Sequence, residues 1–93
     1  MAYEMIAIGY GNFIARERII AVVTADSAPS RRLIQDARDR SSLIDATGGR
    51  KTKSVIVMDS DHIVLSALEP EAVPFVSGKN LKTDERDPKE END

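Results

Sequence analysis

The stretch DARDRSSLIDATGGRKTKSVIVMDSD, residues 36–61, predicts the main features of the fold. It contains the end of a charged helix, a short apolar run, a Gly-Gly pair and an all-apolar strand that ends in two aspartates. The glycine pair permits a tight turn, and Arg50, Lys51 and Lys53 follow it closely. This bend is therefore either a surface that contacts nucleic acid or an ordinary solvated hairpin.

Working outward from this stretch, the apolar periodicity indicates short strands and one helix. Extended segments are expected at residues 5–8, 13–15, 19–23, 43–47, 53–58 and 62–68. A helix is expected over residues 28–41, with Asp26 or Ser27 as its cap and Pro29 in its first turn. The predicted fold class is α+β, a small and mostly antiparallel β domain of about five or six short strands with one main helix.

The apolar strands carry more apolar surface than one small domain can bury. The segments around Ile6, Val22 and Ile56 are apolar on both faces, and strands of that kind need cover on both sides. One helix covers only part of one face. Association of several subunits is therefore expected.

The length of 93 residues indicates one domain. We expect residues 1–76 to form the folded domain that associates with copies of itself and residues 77–93 to form a disordered acidic tail. The chain has no cysteine, which excludes disulfides and thiolate metal sites. It also lacks a signal-peptide pattern and any apolar run of about 18 residues, so a soluble, cytoplasmic protein without a membrane partner is expected.

Charge is distributed unevenly along the chain. The formal net charge is −3, which by itself argues against nucleic acid as a partner. Residues 31–53, however, carry seven cations and three acids, whereas residues 78–93 carry four cations and six acids. The acidity is thus partly a property of the tail, and the middle of the chain is locally basic.

The Gly-Gly-Arg-Lys-Thr-Lys turn, residues 48–53, is the strongest functional candidate. Cations on a tight turn can approach phosphates, and arginine can also bind guanine edges with two parallel hydrogen bonds. Basic turns also occur simply because they are solvated, and charge alone leaves both interpretations open. The pair Gly9 and Gly11 is only a weak match to a phosphate-binding glycine loop, because a third glycine and a following helix are missing.

The residues Asp59, Asp61 and His62 supply oxygen and nitrogen donors close together. A metal site is conceivable, but an Asp-x-Asp-His sequence between two strands is more typical of a turn, and no second cluster completes a coordination shell. His62 is the only histidine, and no neighbouring serine or acid has a spacing typical of a catalytic triad. We therefore expect no enzyme activity, no cofactor and no small-molecule substrate.

Three segments resemble the RemA family of bacterial extracellular-matrix regulators, which activate biofilm genes. They are IGYGNFI (residues 8–14), the Ser-Ala-Pro helix entry (residues 27–29) and DARDRSSLIDATGGRKTKSVIVMDSDHIVLSA (residues 36–67). The resemblance implies a transcriptional regulator without a helix-turn-helix, with double-stranded DNA and copies of itself as partners. It implies a ring-shaped homo-oligomer, for which an octamer is one candidate size.

The same resemblance implies that Arg50 and Lys51 contact DNA, with Arg18, Arg32 and Lys53 as weaker candidates at other basic positions of the family. Many relatives carry a larger residue in place of Gly49 and arginine at positions 51 and 53. The lysines here lack the planar fork of arginine, which weakens the case for base-specific contacts more than that for phosphate binding.

The mechanism that we expect is avidity, because a ring repeats a weak basic turn many times. DNA that follows such a rim must bend, so deformability rather than base contacts can set sequence preference. The alternative function is a non-enzymatic, self-assembling scaffold that binds an acidic protein partner. An enzyme ranks third and requires a pocket around His62 with a perturbed acid nearby.

Overall fold

Six short strands and one α-helix form from the apolar runs of residues 3–76, the part of the chain that the computed structural model describes. The elements are β1 (Met5–Gly9), β2 (Asn12–Ala15), β3 (Ile19–Thr24), α1 (Ala28–Asp39), β4 (Leu43–Asp45), β5 (Ser54–Met58) and β6 (Ile63–Ser66). Short 3-10 turns occupy Arg16–Arg18, Pro70–Ala72 and Pro74–Val76. The predicted α+β class, strand number and single main helix are confirmed for these residues.

The strands β1 and β2 form an antiparallel hairpin, as the Gly-Tyr-Gly-Asn sequence predicts. Its loop uses positive φ at Gly9, Tyr10 and Gly11, which is a left-handed conformation that glycine adopts easily and tyrosine rarely. The register pairs Met5 with Ala15 and Ala7 with Phe13. These four side chains therefore share one face of the hairpin.

A second sheet has the strand order β3-β5-β6-β4. The strands β3 and β6 lie antiparallel to β5, but β4 runs parallel to β6 at the sheet edge. The hairpin alternative for the Gly-Gly bend, with the segments at 43–47 and 53–58 paired to each other, therefore does not occur. The strand β6 lies between them, so the intervening residues connect two strands that are not neighbours.

The helix α1 begins at the predicted cap, since Ser27 Oγ accepts a hydrogen bond from Ser30 N at 3.2 Å. It ends at Asp39, two residues earlier than predicted, because Arg40 leaves helical geometry and Ser41 has a φ of 60°. Among the apolar residues of α1, Ala37 is fully buried, while the larger ones are only partly covered.

The core lies on both faces of the four-stranded sheet. One face carries Ile56, Met58 and Val64, which pack with Ile6 and Ile8 of the hairpin. The opposite face packs against α1 through a second cluster; its members are Ala37, Val55, Ile63 and Leu65. The buried Val73, between two 3-10 turns that follow β6, joins the first cluster. The continuously apolar β5 sequence is thus explained by cover on both faces.

Several large apolar side chains remain exposed within residues 3–76. Met5 is 56% exposed and Phe13 is 60% exposed on the outer face of the hairpin, and Ile20 on β3 is 62% exposed. Ile44 on β4, at the other edge of the sheet, is 48% exposed. The expected surplus of apolar surface is therefore present on β1 and β3 but not on β5, which is covered on both faces. Subunit association stays a prediction.

Two further expectations concern the C-terminal tail and membrane crossing. The predicted disordered tail, residues 77–93, lies outside the described residues. Within residues 3–76, no helix is both long enough and apolar enough to cross a membrane.

Candidate nucleic-acid interface

The cations that follow β4 lie on a connection that we call the basic loop, residues 46–53. Both of its ends are anchored to consecutive residues of β6. Ala46 N donates to Leu65 O at 2.9 Å, and Lys53 N donates to Ser66 O at 2.9 Å. The loop therefore leaves the sheet and returns to it at nearly the same point, with fixed ends.

Side-chain hydrogen bonds shape the first half of the basic loop. The Asp45 carboxylate accepts from Thr47 N at 2.9 Å and from Thr47 Oγ1 at 2.7 Å. These bonds stabilise the charged carboxylate and hold the pKa of Asp45 below its ordinary value. Arg50 N in turn donates to Thr47 O at 3.1 Å. The turn before the cations is thus ordered by its own residues.

Gly48 and Gly49 both adopt positive φ, at +65° and +84°, but their surroundings differ. A Cβ at Gly48 would lie 3.0 Å from Cγ of Tyr10, within the packing of that ring. A Cβ at Gly49 would meet no atom of the described residues within 4 Å. A larger residue at position 49 therefore faces backbone strain alone.

This difference gives a matched pair of substitutions. Gly49→Ala should lower the free energy of unfolding by about 1–2 kcal/mol, the cost of a left-handed non-glycine residue. Gly48→Ala should cost roughly 1–3 kcal/mol more, because the aromatic ring must also move. Urea denaturation followed by circular dichroism measures both values. Equal destabilisation by the two variants would contradict the close packing of Tyr10 on Gly48.

Arg50 and Lys51 lie exposed next to each other on the basic loop. Within residues 3–76, neither side chain makes an ion pair with a carboxylate. The guanidinium carbon of Arg50 lies 4.7 Å from the centroid of the Tyr10 ring, a cation–π contact. Such a contact orients the guanidinium and leaves its positive charge unneutralised.

Lys53 is only partly available for an anion, because its Nζ lies 3.7 Å from Glu69 Oε2. Both side chains are about half exposed, and an ion pair of that kind contributes little stability. Lys51 and Lys53 also line an open cleft of about 250 Å³ together with Thr24 and Asp26. The cleft thus brings Lys53 together with Lys51, whereas Arg50 does not line it.

Arg18 makes its contacts away from the basic loop. Its Nε donates to both Asp59 carboxylate oxygens, at 2.8 and 2.9 Å, and this pairing raises the pKa of Arg18 above its ordinary value. Asp59 follows β5 whereas Lys53 precedes it, so six residues of extended chain separate them by roughly 20 Å. Arg18 therefore links the 3-10 turn at Arg16–Arg18 to the β5–β6 turn and is not part of the basic loop.

Arg32 lies exposed on α1, where it lines a shallow depression with Asp36 and Asp39. That depression and the cleft beside Lys51 share no residue. The structure therefore does not bring Arg32 together with the basic loop.

The turn between β5 and β6 contains the alternative metal or catalytic candidates. His62 Nδ1 lies 2.8 Å from Ser60 Oγ, and His62, Asp59 and Asp61 are exposed. Within residues 3–76, no three histidine, aspartate or glutamate side chains are grouped in a way that could hold a metal ion. Neither of the two clefts described above includes this turn.

Two residues in contact with the basic loop were not predicted from the sequence. Tyr10 packs on Gly48 and beneath Arg50, and Asn12 Nδ2 donates to Ala46 O at 3.2 Å. Tyr10 lies in the loop of the β1–β2 hairpin and Asn12 is the first residue of β2, and pattern analysis treats both positions only as part of a turn. Their separation from the basic loop by about 35 residues leaves no local signal for the contact.

The comparisons with known proteins agree on one family. The model of the RemA-like family, described as extracellular matrix regulatory protein A-like, matches residues 5–74. The extracellular matrix regulatory protein A of Bacillus subtilis (strain 168) is 59% identical over 73 residues, which cover 78% of this chain and 82% of that protein. A Clostridium botulinum (strain Eklund 17B) protein, named provisionally as a regulatory protein, is 50% identical over 88 residues, which cover 94% of this chain and 99% of the relative.

Proposed function

The chain belongs to the RemA-like family of extracellular matrix regulatory proteins, and from this premise we propose that it regulates transcription by binding double-stranded DNA through its basic loop. One observation carries the proposal. Arg50 and Lys51 are adjacent, exposed and without a carboxylate partner within residues 3–76. By contrast, Arg18 is paired with Asp59. The protein thus presents unneutralised positive charge on an ordered turn.

Phosphate is the chemistry that suits this turn best. The Arg50 guanidinium can bind two phosphate oxygens with parallel hydrogen bonds, while the Lys51 ammonium acts as a point charge beside it. Lys53 can join by exchanging Glu69 for a phosphate, since their exposed ion pair is weak. Two or three cations bind DNA only weakly, so a single copy of the loop is insufficient for a regulator.

Self-association supplies the missing affinity in this proposal. Apolar side chains are exposed on two different surfaces, with Met5 and Phe13 on the hairpin and Ile44 on the edge strand β4. Contact between two unlike surfaces of successive subunits generates a closed ring when the rotation closes. A ring-like homo-oligomer repeats the basic loop around its rim, and linked sites multiply affinity without new contacts.

In this proposal the protein recognises mainly the shape of the DNA. Contacts to phosphates carry no sequence information directly, and DNA that follows a curved rim must bend. Sequences that bend easily are then favoured. This regulator acts in the cytoplasm, without a substrate or cofactor, and an octamer is one candidate size for its ring.

Salt dependence tests the proposal on the unaltered protein. If three subunits each place two cations on phosphates, about six counterions are released, and affinity should fall about 10³-fold between 50 and 200 mM salt. Fluorescence anisotropy with a labelled 30-base-pair duplex measures the affinity, and light scattering on the same samples measures the mass of the assembly.

The two measurements together separate the proposal from its alternative. A protein that assembles but produces no anisotropy change with DNA at low salt would contradict DNA binding. That outcome would favour the self-assembling scaffold that binds an acidic protein partner.

A further inference from the structure

The loop of the β1–β2 hairpin is docked onto the basic loop. Asn12 Nδ2 lies within hydrogen-bond distance of three carbonyl oxygens, at 3.0 Å from Gly9 O, 3.2 Å from Tyr10 O and 3.2 Å from Ala46 O. The first two interactions close the hairpin loop, and the third crosses 34 residues of sequence to the start of the basic loop. One amide group therefore fixes the two loops relative to each other.

Tyr10 makes the second connection between the loops. Its φ of 54° is left-handed, which is unfavourable for a tyrosine and persists only where surrounding contacts maintain it. The side chain packs so closely on Gly48 that an added Cβ there would lie 3.0–3.3 Å from three of its atoms. This backbone conformation directs the aromatic ring of Tyr10, a residue that is still 52% exposed, over the basic turn.

Arg50 lies on this ring, with its guanidinium carbon 4.7 Å from the ring centroid. Within residues 3–76, the cation–π contact with Tyr10 is the side-chain interaction that holds Arg50. Arg18 provides an internal comparison, since it also lies near a tyrosine, at 5.9 Å from the Tyr3 ring, but a carboxylate neutralises it. Tyr10 orients Arg50, and no carboxylate of the described residues neutralises the positive charge of Arg50.

We propose that Tyr10, secured by Asn12, is a positioning residue that holds the Arg50 guanidinium ready for a DNA phosphate. This inference rests on the proposed DNA binding and goes beyond it, because it assigns a role to residues that carry no charge. A guanidinium that is oriented before binding loses less conformational freedom when it meets the phosphate. The aromatic face, rather than the bulk of the side chain, performs this function.

Four variants of the full-length protein test the proposal by their affinity for the labelled duplex. Tyr10→Ala should weaken binding by about two- to fivefold for each subunit that engages the DNA, the range expected for an exposed cation–π contact. Tyr10→Leu keeps an apolar side chain against Gly48 and should lose as much affinity as Tyr10→Ala. Tyr10→Phe keeps the aromatic face and should bind like the unaltered protein. Arg50→Ala completes the set.

The interaction between Tyr10 and Arg50 is then measured by a double-mutant cycle. In the Arg50→Ala background, Tyr10→Ala should cause no further loss of affinity, because the residue that it positions is gone. A further loss of the same size in that background would overturn the proposal, since Tyr10 would then contact DNA by itself. Full affinity of Tyr10→Ala or of Tyr10→Leu would also overturn it.

The proposed function can fail separately from the positioning role. If Arg50→Ala binds DNA as strongly as the unaltered protein, Arg50 is not a contact and both proposals fall. If Arg50→Ala weakens binding but Tyr10→Leu does not, only the positioning role falls. Thermal unfolding of each variant identifies any general loss of structure, and Tyr10→Leu replaces Tyr10→Ala in the cycle if the alanine variant unfolds.

Discussion

Replacing Arg50 and Lys51 together by alanine should lower the affinity for DNA by on the order of 10³-fold at low salt. With two cations removed from each of three engaged subunits, about six phosphate contacts disappear, and the salt dependence should nearly vanish with them. The expected loss is large because the proposed ring would repeat the small change of each loop. Anisotropy titrations at several salt concentrations measure both the affinity and its slope.

The matched control removes the same charge from another surface. Arg16 and Arg40 are exposed and precede the ends of β3 and β4 that lie beside the β5–β6 turn, at the end of the sheet away from the basic loop. Arg16→Ala with Arg40→Ala therefore also deletes two cations from each subunit. This control should retain most of the affinity if binding is local to the basic loop. Unchanged DNA affinity of the Arg50 and Lys51 variant, in a protein that light scattering shows to be still assembled, would refute the proposed interface.

Ile56→Ala should be the most destabilising single substitution among those considered. Ile56 is fully buried in β5, where it pairs with Val22 of β3 and Val64 of β6, and it packs against the hairpin. Truncation leaves a cavity at the centre of the first core cluster, which should reduce the free energy of unfolding by about 2–5 kcal/mol. A domain of this size has a small free energy of unfolding, so we expect a substantial fraction of the variant to be unfolded.

The control for this prediction is Ile56→Val, which removes one methylene and should cost about 0.5–1.5 kcal/mol. Urea denaturation measures both variants, at several protein concentrations because association stabilises the folded state by mass action. A cost below about 1 kcal/mol for Ile56→Ala would contradict the description of the first cluster as one packed core.

The sequence predicts local structure well because the relevant interactions are local. The Ser27 cap, the apolar run of β5 and the glycine-rich hairpin loop each depend on residues a few positions apart. These features place the helix start and the strand positions within about two residues. The predicted bend at Gly48 and Gly49 is likewise confirmed by their positive φ values.

Strand order was not predictable, because it depends on which strand enters the space between two others. The hairpin alternative for the Gly-Gly bend agrees with the tendency of consecutive strands to pair. The predicted segments 43–47 and 53–58 leave five residues between them, a length usual for hairpins, so loop length gave no signal against it. The end of β4 was placed at Thr47 because the hydrogen bonds between Asp45 and Thr47 were not foreseen.

The candidate interface was predicted in part. Arg50, Lys51 and Lys53 are recognisable from charge and position, and the structure brings them together on one loop. The pairing of Arg18 with Asp59 spans 41 residues, and sequence spacing cannot reveal a partner at that distance. The contact of Tyr10 with Arg50 escaped prediction for the same physical reason.

The anchoring of the basic loop at Leu65 and Ser66 separates two properties that selection can alter independently. Arg50 and Lys51 are exposed between these anchors, so a change at either position leaves the hydrogen bonds of β6 as they are. The charge of this surface can therefore change while the sheet keeps its stability. In protein engineering, these two positions can be exchanged without redesign of the core, whereas the buried Ala46 and Thr47 and the closely packed Gly48 must be kept.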